Sequence, residues 1–169
     1  GSVTMRGRIF HGQSVRYDCY NDELLLLTGK GIILQLNKEL IEGFTFEYDN
    51  RVFFFRNFDT DSEKTLSGFV NVLSKGNASL FVKYSKDVLI LAVENKYDLF
   101  TDNIRIYVEK DGITTRISNR GDLLRLLADR KQQVRDYIKS NRIRVTAKAP
   151  ESIKPVIDYY NSLQQTIPE

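Results

Sequence analysis

Residues Ser118–Asn141 read SNRGDLLRLLADRKQQVRDYIKSN, the one long stretch of this chain with helical rather than strand periodicity. Its aliphatic side chains recur at helical spacing, which places them on one face of a helix. That face consists of Leu123, Leu127, Val134 and Ile138. The stretch therefore predicts where strands give way to helices, and we expect this face to dock onto the strands.

The middle of the stretch interrupts the apolar face, because Asp129–Gln133 contains no apolar residue. The pattern fits either one long helix with an exposed middle or two helices that meet near Ala128-Asp129. In the second case Asp129 is suited to cap the second helix. Ser118-Asn119 can cap the start of the stretch, and Asn141 is a plausible stop.

A further helix is expected after Pro150, at about Glu151–Leu163. Pro155 lies in its first turns, so the helix can begin as late as Ser152 or Lys154. The pair Tyr159-Tyr160 fits a carbohydrate-stacking patch, but the pattern favours one ring in the core and one at its edge.

The body before the helices consists of short alternating runs, separated by turn residues about every ten positions. Asp111-Gly112 is the strongest hairpin signal among the turns, and Asp98–Asp102 is expected to be a loop. About nine or ten strands follow from this spacing. The predicted fold is mainly β (α+β): an antiparallel meander forming a curved sheet, a sandwich or an incomplete barrel, with two or three C-terminal helices.

These patterns predict a β body over residues 1–117 and a helical segment over 118–169 that packs on it, as one domain in all. The triple Phe53–Phe55 favours a strand that is covered on both faces, or covered on one face by the helical tail. We therefore expect the helices to dock near Phe53–Phe55.

The composition suits a globular chain, with 41% hydrophobic and 28% charged residues. One Cys excludes an internal disulfide and a Cys-based zinc site. No apolar run approaches the roughly 18 residues that a membrane-spanning helix needs. Neither a cofactor nor a metal is predicted.

Nucleophilic or acid–base catalysis would have to use the single histidine, His11, which lies eight residues before Cys19. His11 sits in a turn that contains glycine, and Cys19 in a strand where it packs as a small hydrophobic residue. The pattern favours structural roles for both residues, so no catalytic residue is predicted.

Acidic residues offer two further kinds of site. Asp59, Asp61 and Glu63 alternate like calcium ligands, but their loop lacks the glycine of an EF-hand and favours a solvated turn. A carboxylate-based hydrolase needs two facing acids, which spacing alone does not select. Asp18 stands out among the acids, and its position favours a structural hydrogen bond with Tyr17 or Arg16.

Positive charge is concentrated in the helical part of the chain. Residues 116–148 contain ten Lys and Arg against three acids, a net charge of +7 in a chain that totals +3. The candidate partner-binding residues are Arg125, Arg130, Lys131, Arg135 and Lys139. They could neutralise a nucleic acid or another anionic polymer, but Tyr137 is the only aromatic residue in the stretch, which disfavours a base-stacking surface.

Several segments together resemble a family of uncharacterised secreted proteins common in Bacteroidetes. The matching motifs are Tyr17-Asp18, Tyr20, Asp22 and Leu24; Gly68-Phe69, Val72-Leu73, Gly76, Leu80 and Lys83; and Tyr159-Tyr160-Asn161. The resemblance implies an exported protein, periplasmic or associated with the outer membrane. Gly1-Ser2 is typical of a cleaved tag, so we expect the native N-terminus to lie upstream, together with the signal peptide that an exported protein has.

These observations favour a non-enzymatic binding or structural module of the bacterial cell envelope. Its partner is expected to be another envelope protein or an anionic polymer. Nucleic-acid or anionic-polymer binding through residues 120–139 is the alternative function, and a carboxylate-based hydrolase is the third.

Overall fold

The computed structural model describes residues 1–58, 66–90 and 98–164. Eleven strands and three α-helices lie in these ranges. The strands are β1 (Ser2–Met5), β2 (Arg8–Phe10), β3 (Ser14–Asp18), β4 (Glu23–Leu27), β5 (Ile33–Gln35), β6 (Ile41–Tyr48), β7 (Arg51–Phe58), β8 (Gly68–Ser74), β9 (Ala78–Ile90), β10 (Asp98–Lys110) and β11 (Ile113–Ile117). The helices are α1 (Arg120–Leu126), α2 (Lys131–Ser140) and α3 (Lys154–Gln164), with short 3-10 helices at Lys38–Leu40, Ala128–Arg130 and Pro150–Ser152.

The strands form two sheets. One has the order β11-β10-β9-β8-β7-β6-β1-β2, and the other has the order β3-β4-β5. The larger sheet ends at β11 and β2, so it is open. The prediction of a mainly β, antiparallel fold with C-terminal helices is confirmed.

The described chain divides into two compact units. The first contains residues 1–71 and 84–103, and the second contains residues 72–83 and 104–169. Strands β8, β9 and β10 each contribute residues to both units. The division into a body over 1–117 and a helical segment over 118–169 stays a prediction.

In the second unit the helices share a core with the strands. The predicted helical face is buried there, with Leu123, Leu127 and Val134 fully inaccessible to solvent. Its partners from the strands are Ala78, Leu80, Ile106, Val108 and Ile117, and α3 adds Ile153, Val156, Ile157 and Tyr160. The docking of the helical face onto strands is therefore confirmed.

The expected position of this docking was wrong. Phe55 is buried in the core of the first unit, whereas the helical face lies in the core of the second. The strand is also not covered on both faces, because Phe54 is exposed. Side chains alternate along a strand, so three consecutive phenylalanines cannot share one face.

Of the two alternatives for the helical stretch, the structure has two helices, which the 3-10 helix Ala128–Arg130 separates. Asn119 caps α1 by accepting a hydrogen bond from the Asp122 N–H at 3.1 Å, and α2 ends at Asn141. Asp129 does not cap α2. Its carboxylate accepts a hydrogen bond from the Tyr160 hydroxyl at 2.9 Å instead, which anchors the connection to α3.

The expected loop at Asp98–Asp102 is the first part of β10. Its polar side chains made a loop seem plausible, but they take part in contacts along the strand. The Thr101 hydroxyl donates to the Asp87 carbonyl at 3.2 Å, and Lys86 pairs with Asp102 at 3.4 Å. Pairing with neighbouring strands therefore decided the structure of this segment, although its polar residues favour a loop.

Replacing Leu127 by aspartate should strongly destabilise the second unit. Leu127→Asp removes a fully buried aliphatic side chain and places a carboxylate in an apolar core. The expected loss in the free energy of unfolding is about 3–5 kcal/mol or more. Urea unfolding measures this loss. Ala128→Asp is the control, because Ala128 is exposed and its substitution should cost within about 0.5 kcal/mol. Equal stability of the two variants would contradict the docking of this face.

Candidate binding site

A ladder of phenylalanine rings runs along β6 and β7 in the first unit. The strands pair so that Phe44 faces Phe55 and Phe46 faces Phe53. The ring centroids of these pairs are 4.8 and 5.3 Å apart, with interplanar angles of 8° and 18°. Directly opposed residues of an antiparallel pair lie on the same face of the sheet, so the four rings form one continuous apolar surface.

Burial decreases along this ladder. Phe44 and Phe55 are 1% exposed, Phe46 and Phe53 are half-buried, and Tyr48 at the end of β6 is 71% exposed. The half-buried end lines a cleft of 1310 Å³ within the first unit. Its other apolar walls include Val15, Leu25, Leu27, Ile33, Val52 and Tyr84. The core of this unit therefore opens into an apolar cleft.

Tyr17 covers the buried end of the ladder. Its ring centroid lies 4.9 Å from that of Phe55, 5.7 Å from Phe44 and 6.0 Å from Phe69. The Tyr17 hydroxyl donates a hydrogen bond to Asp22 Oδ1 at 2.6 Å. Burial, followed by this hydrogen bond, raises the pKa of Tyr17 far above its usual value, so the hydroxyl stays protonated.

The Asp22 carboxylate holds several segments together. Its Oδ2 atom accepts hydrogen bonds from Lys38 Nζ at 2.5 Å and from the Phe69 N–H at 3.4 Å. Gly68 packs so closely that a Cβ atom there would lie 1.9 Å from the same oxygen. The arrangement depends on glycine at position 68.

The hydrogen-bond partners predicted for Asp18, Tyr17 or Arg16, were wrong. Asp18 accepts hydrogen bonds from the Tyr20 and Asn21 N–H groups, at 2.8 and 3.3 Å, and from Asn21 Nδ2 at 3.0 Å. Burial raises the pKa of Asp18, but these hydrogen bonds outweigh it and the net shift is downward. The tyrosine bond forms at Asp22 because consecutive residues 17 and 18 point to opposite faces of β3.

Both residues of the hypothetical catalytic pair line the cleft. His11 Nδ1 is hydrogen-bonded to Ser2 Oγ at 3.1 Å. Burial is the main cause that raises the pKa of Cys19, so its thiol stays protonated at neutral pH. A protonated thiol is a poor nucleophile.

No group of three or more His, Cys, Asp and Glu side chains among the described residues is arranged to hold a metal ion. The loop with Asp59, Asp61 and Glu63 lies outside the described ranges. None of the described helices combines the length and apolar character needed to cross a bilayer.

The five basic candidates lie in the second unit, and the structure brings three of them together. Arg130, Lys131 and Arg135 line a surface depression of 450 Å³ at the start of α2. Arg125 lies outside it and pairs with Asp122 at 3.5 Å. Lys139 is exposed near the end of α2 and does not line the depression.

Comparison with protein-family models, curated proteins and solved structures found no match. The function of the chain is therefore inferred from its own residues. The cleft was not anticipated from the sequence, although the alternation of Phe44 with Phe46, and of Phe53 with Phe55, is a signal for an aromatic strand face.

Gly68→Ala should destabilise the first unit more than the loss of glycine flexibility explains. Gly68 and Gly112 both have positive φ angles, of 66° and 75°, so alanine at either position costs about 1–2 kcal/mol. A Cβ atom at Gly112 meets nothing within 4 Å. At Gly68 it displaces the carboxylate of Asp22, which adds about 1–3 kcal/mol for the disturbed charged hydrogen bonds. Denaturant unfolding of Gly68→Ala beside Gly112→Ala measures the difference, and equal losses would refute the role of Asp22.

Proposed function

We propose that this chain is a non-enzymatic binding module of the bacterial cell envelope that holds an apolar ligand in the cleft of its first unit. The observation that carries the proposal is the phenylalanine ladder, which leaves the core and continues half-buried along the cleft wall. A small molecule with an aliphatic chain or an apolar ring system fits this surface, since ligand sites are concave and mostly apolar.

The distribution of exposed apolar residues supports a binding role for this unit. Thirteen large hydrophobic residues are exposed among the described residues, and twelve of them belong to the first unit. The exception is Ile113. Four of the twelve, Leu27, Ile33, Tyr48 and Val52, line the cleft, and apolar side chains exposed together in this way are typical of interaction sites.

The chemistry of the cleft supports binding rather than catalysis. Cys19 is held as a thiol, and His11 is engaged with Ser2. Glu47 is the one carboxylate among the described residues that line the cleft. A hydrolase of the two-carboxylate type needs a second acid facing the first.

The envelope location rests on the resemblance of the motifs around Tyr17-Asp18, Gly68-Phe69 and Tyr159-Tyr160-Asn161 to exported proteins. An apolar ligand suits that location, because envelope proteins meet lipids and other amphiphiles. The coding sequence upstream of Gly1 tests the location, since an exported chain needs a signal peptide there.

Binding of the apolar fluorophore N-phenyl-1-naphthylamine should be saturable and should depend on the cleft. Tyr48→Lys puts a charge at the open end of the ladder, because Tyr48 lies on the same face of β6 as Phe46 and lines the cleft, and should weaken binding about fivefold, which is on the order of 1 kcal/mol. Ile113→Lys is the matched control, because Tyr48 and Ile113 are 71% and 67% exposed and Ile113 lies outside the cleft.

Fluorescence titration of the unchanged chain and the two lysine variants measures the three dissociation constants. Absence of saturable binding by the unchanged chain would overturn the proposal. So would an equal loss in the two lysine variants, because the effect would then come from added charge rather than from the cleft.

Binding of an anionic polymer through the second unit is the alternative function. The depression formed by Arg130, Lys131 and Arg135 favours it, because three cations around one concavity can contact successive anionic groups. Asp129 also lines this depression, but its carboxylate is engaged with Tyr160 and Lys110. The net positive charge of residues 116–148 would attract the same partner over a longer distance.

This alternative predicts salt-dependent binding of heparin, measured by calorimetry at several salt concentrations. Arg135→Gln should weaken binding about threefold and reduce the salt slope by about 1, because one ionic contact is lost. Arg125→Gln removes the same charge outside the depression and should have less than half of that effect. Binding that does not vary with salt, or equal effects of the two variants, would exclude the depression as the site.

A further inference from the structure

The hairpin of β4 and β5 exposes aliphatic side chains on both of its faces. Leu27 and Ile33 oppose each other on one face, while Leu34 lies on the other face opposite Leu26. Leu27, Ile32, Ile33 and Leu34 are 50%, 54%, 65% and 46% exposed. A single flat surface placed against one face would leave the other face uncovered.

The outer edge of β5 also carries backbone groups that point away from its sheet. Leu36 N–H donates to the Leu24 carbonyl at 3.0 Å, and Thr28 N–H donates to the Ile32 carbonyl at 2.9 Å. Hydrogen-bonded pairs recur at every second residue of an antiparallel ladder, so the backbone of Leu34 also faces β4. The N–H and C=O groups of Ile33 and Gln35 therefore point outward, and no strand of the described residues pairs with that edge.

The edge strand is short, with three residues, but it contains no charged side chain, proline or bulge, which are the other features that protect edge strands from pairing. No acidic residue occurs from Leu24 to Lys38. Lys30 lies exposed in the turn of the hairpin, and Lys38 at the other end is bound to Asp22. The edge is apolar, with a positive charge at its tip.

We propose that β5 is a docking edge for an extended polypeptide segment of a partner protein. The segment adds to the sheet as a strand, with apolar side chains and an acidic residue that faces Lys30. An added strand satisfies the outward groups of Ile33 and Gln35 and covers aliphatic side chains on both faces. Leu27 and Ile33 also line the cleft, so the two surfaces adjoin, but the outward backbone groups of β5 can receive a strand whether or not the cleft holds a ligand.

A lipid surface and a second copy of this chain fit the edge less well. Hydrocarbon offers no hydrogen bonds to an open sheet edge, so insertion would leave the outward backbone groups without partners. Antiparallel self-pairing that uses both Ile33 and Gln35 is centred on Leu34. A second copy paired in this way offers no carboxylate to Lys30, because no acidic residue occurs from Leu24 to Lys38.

The test uses a short fluorescein-labelled peptide of alternating valine and threonine with a glutamate at each end. Gln35→Pro removes one outward N–H group and leaves the pairing with β4 intact, because proline is tolerated where the N–H faces away from the sheet. Gln35→Ala is the matched control, which retains that N–H group. Fluorescence anisotropy should show binding that Gln35→Pro weakens at least about tenfold and Gln35→Ala less than about twofold.

A second peptide with lysine in place of both glutamates should bind the unchanged chain several-fold more weakly, because it repels Lys30. Circular dichroism checks that both variants keep their strands. Failure of the glutamate peptide to bind, equal binding by the two variants, or no preference for glutamate over lysine would overturn the proposal.

Two further measurements address the other occupants. A concentration-dependent dimer in analytical ultracentrifugation that Gln35→Pro abolishes would assign the edge to a second copy. Flotation with vesicles of phosphatidylglycerol by a chain that does not bind the peptide would favour a lipid surface over a partner strand. Either result would overturn the proposal, whereas a monomer that does not float supports it.

Discussion

The carboxylate of Asp22 is the interaction on which the first unit depends. It accepts hydrogen bonds from the Tyr17 hydroxyl, the Lys38 ammonium and the Phe69 N–H. It therefore links β3, the 3-10 helix Lys38–Leu40 and β8. A partly buried carboxylate is costly unless such donors surround it. Because Tyr17 also lies against the phenylalanine rings, this polar contact fixes the position of the aromatic core, and with it the wall of the cleft.

The second unit contains a similar arrangement around Asp129. This carboxylate accepts a hydrogen bond from the Tyr160 hydroxyl at 2.9 Å and pairs with Lys110 at 3.4 Å. Burial raises the pKa of Asp129, but the bonds from Tyr160 and Lys110 outweigh it and lower the pKa. The lowered pKa stabilises the fold above the usual pKa of an aspartate, and that contribution is lost as the pH falls through the lowered value. In each unit, an aspartate in a connecting segment is therefore bound by a tyrosine of the core and by a lysine.

Local patterns in the sequence were sufficient for some elements and not for others. The hairpin turn at Asp111-Gly112 depends on neighbouring residues and was predicted, whereas the break between α1 and α2 was one of two alternatives that the local pattern left open. The partner of Tyr17 could not be predicted, because Asp18 and Asp22 are both close in sequence and only the packed strands bring one of them to the hydroxyl. The predicted docking position of the helices was also wrong, because periodicity shows which face of a helix is buried but not which strands bury it.

The two units differ in how completely they bury their apolar residues. The core of the second unit encloses the side chains of three helices, and Ile113 is its one exposed large hydrophobic residue within the described ranges. The described residues of the first unit include no α-helix that covers the phenylalanine ladder, and the half-buried end of the ladder lines a cleft. Leaving such surface in water lowers stability by about 25 cal/mol for each Å² that could have been buried. A ligand that covers this surface would recover that free energy on binding, which is the physical argument behind the function proposed for the cleft.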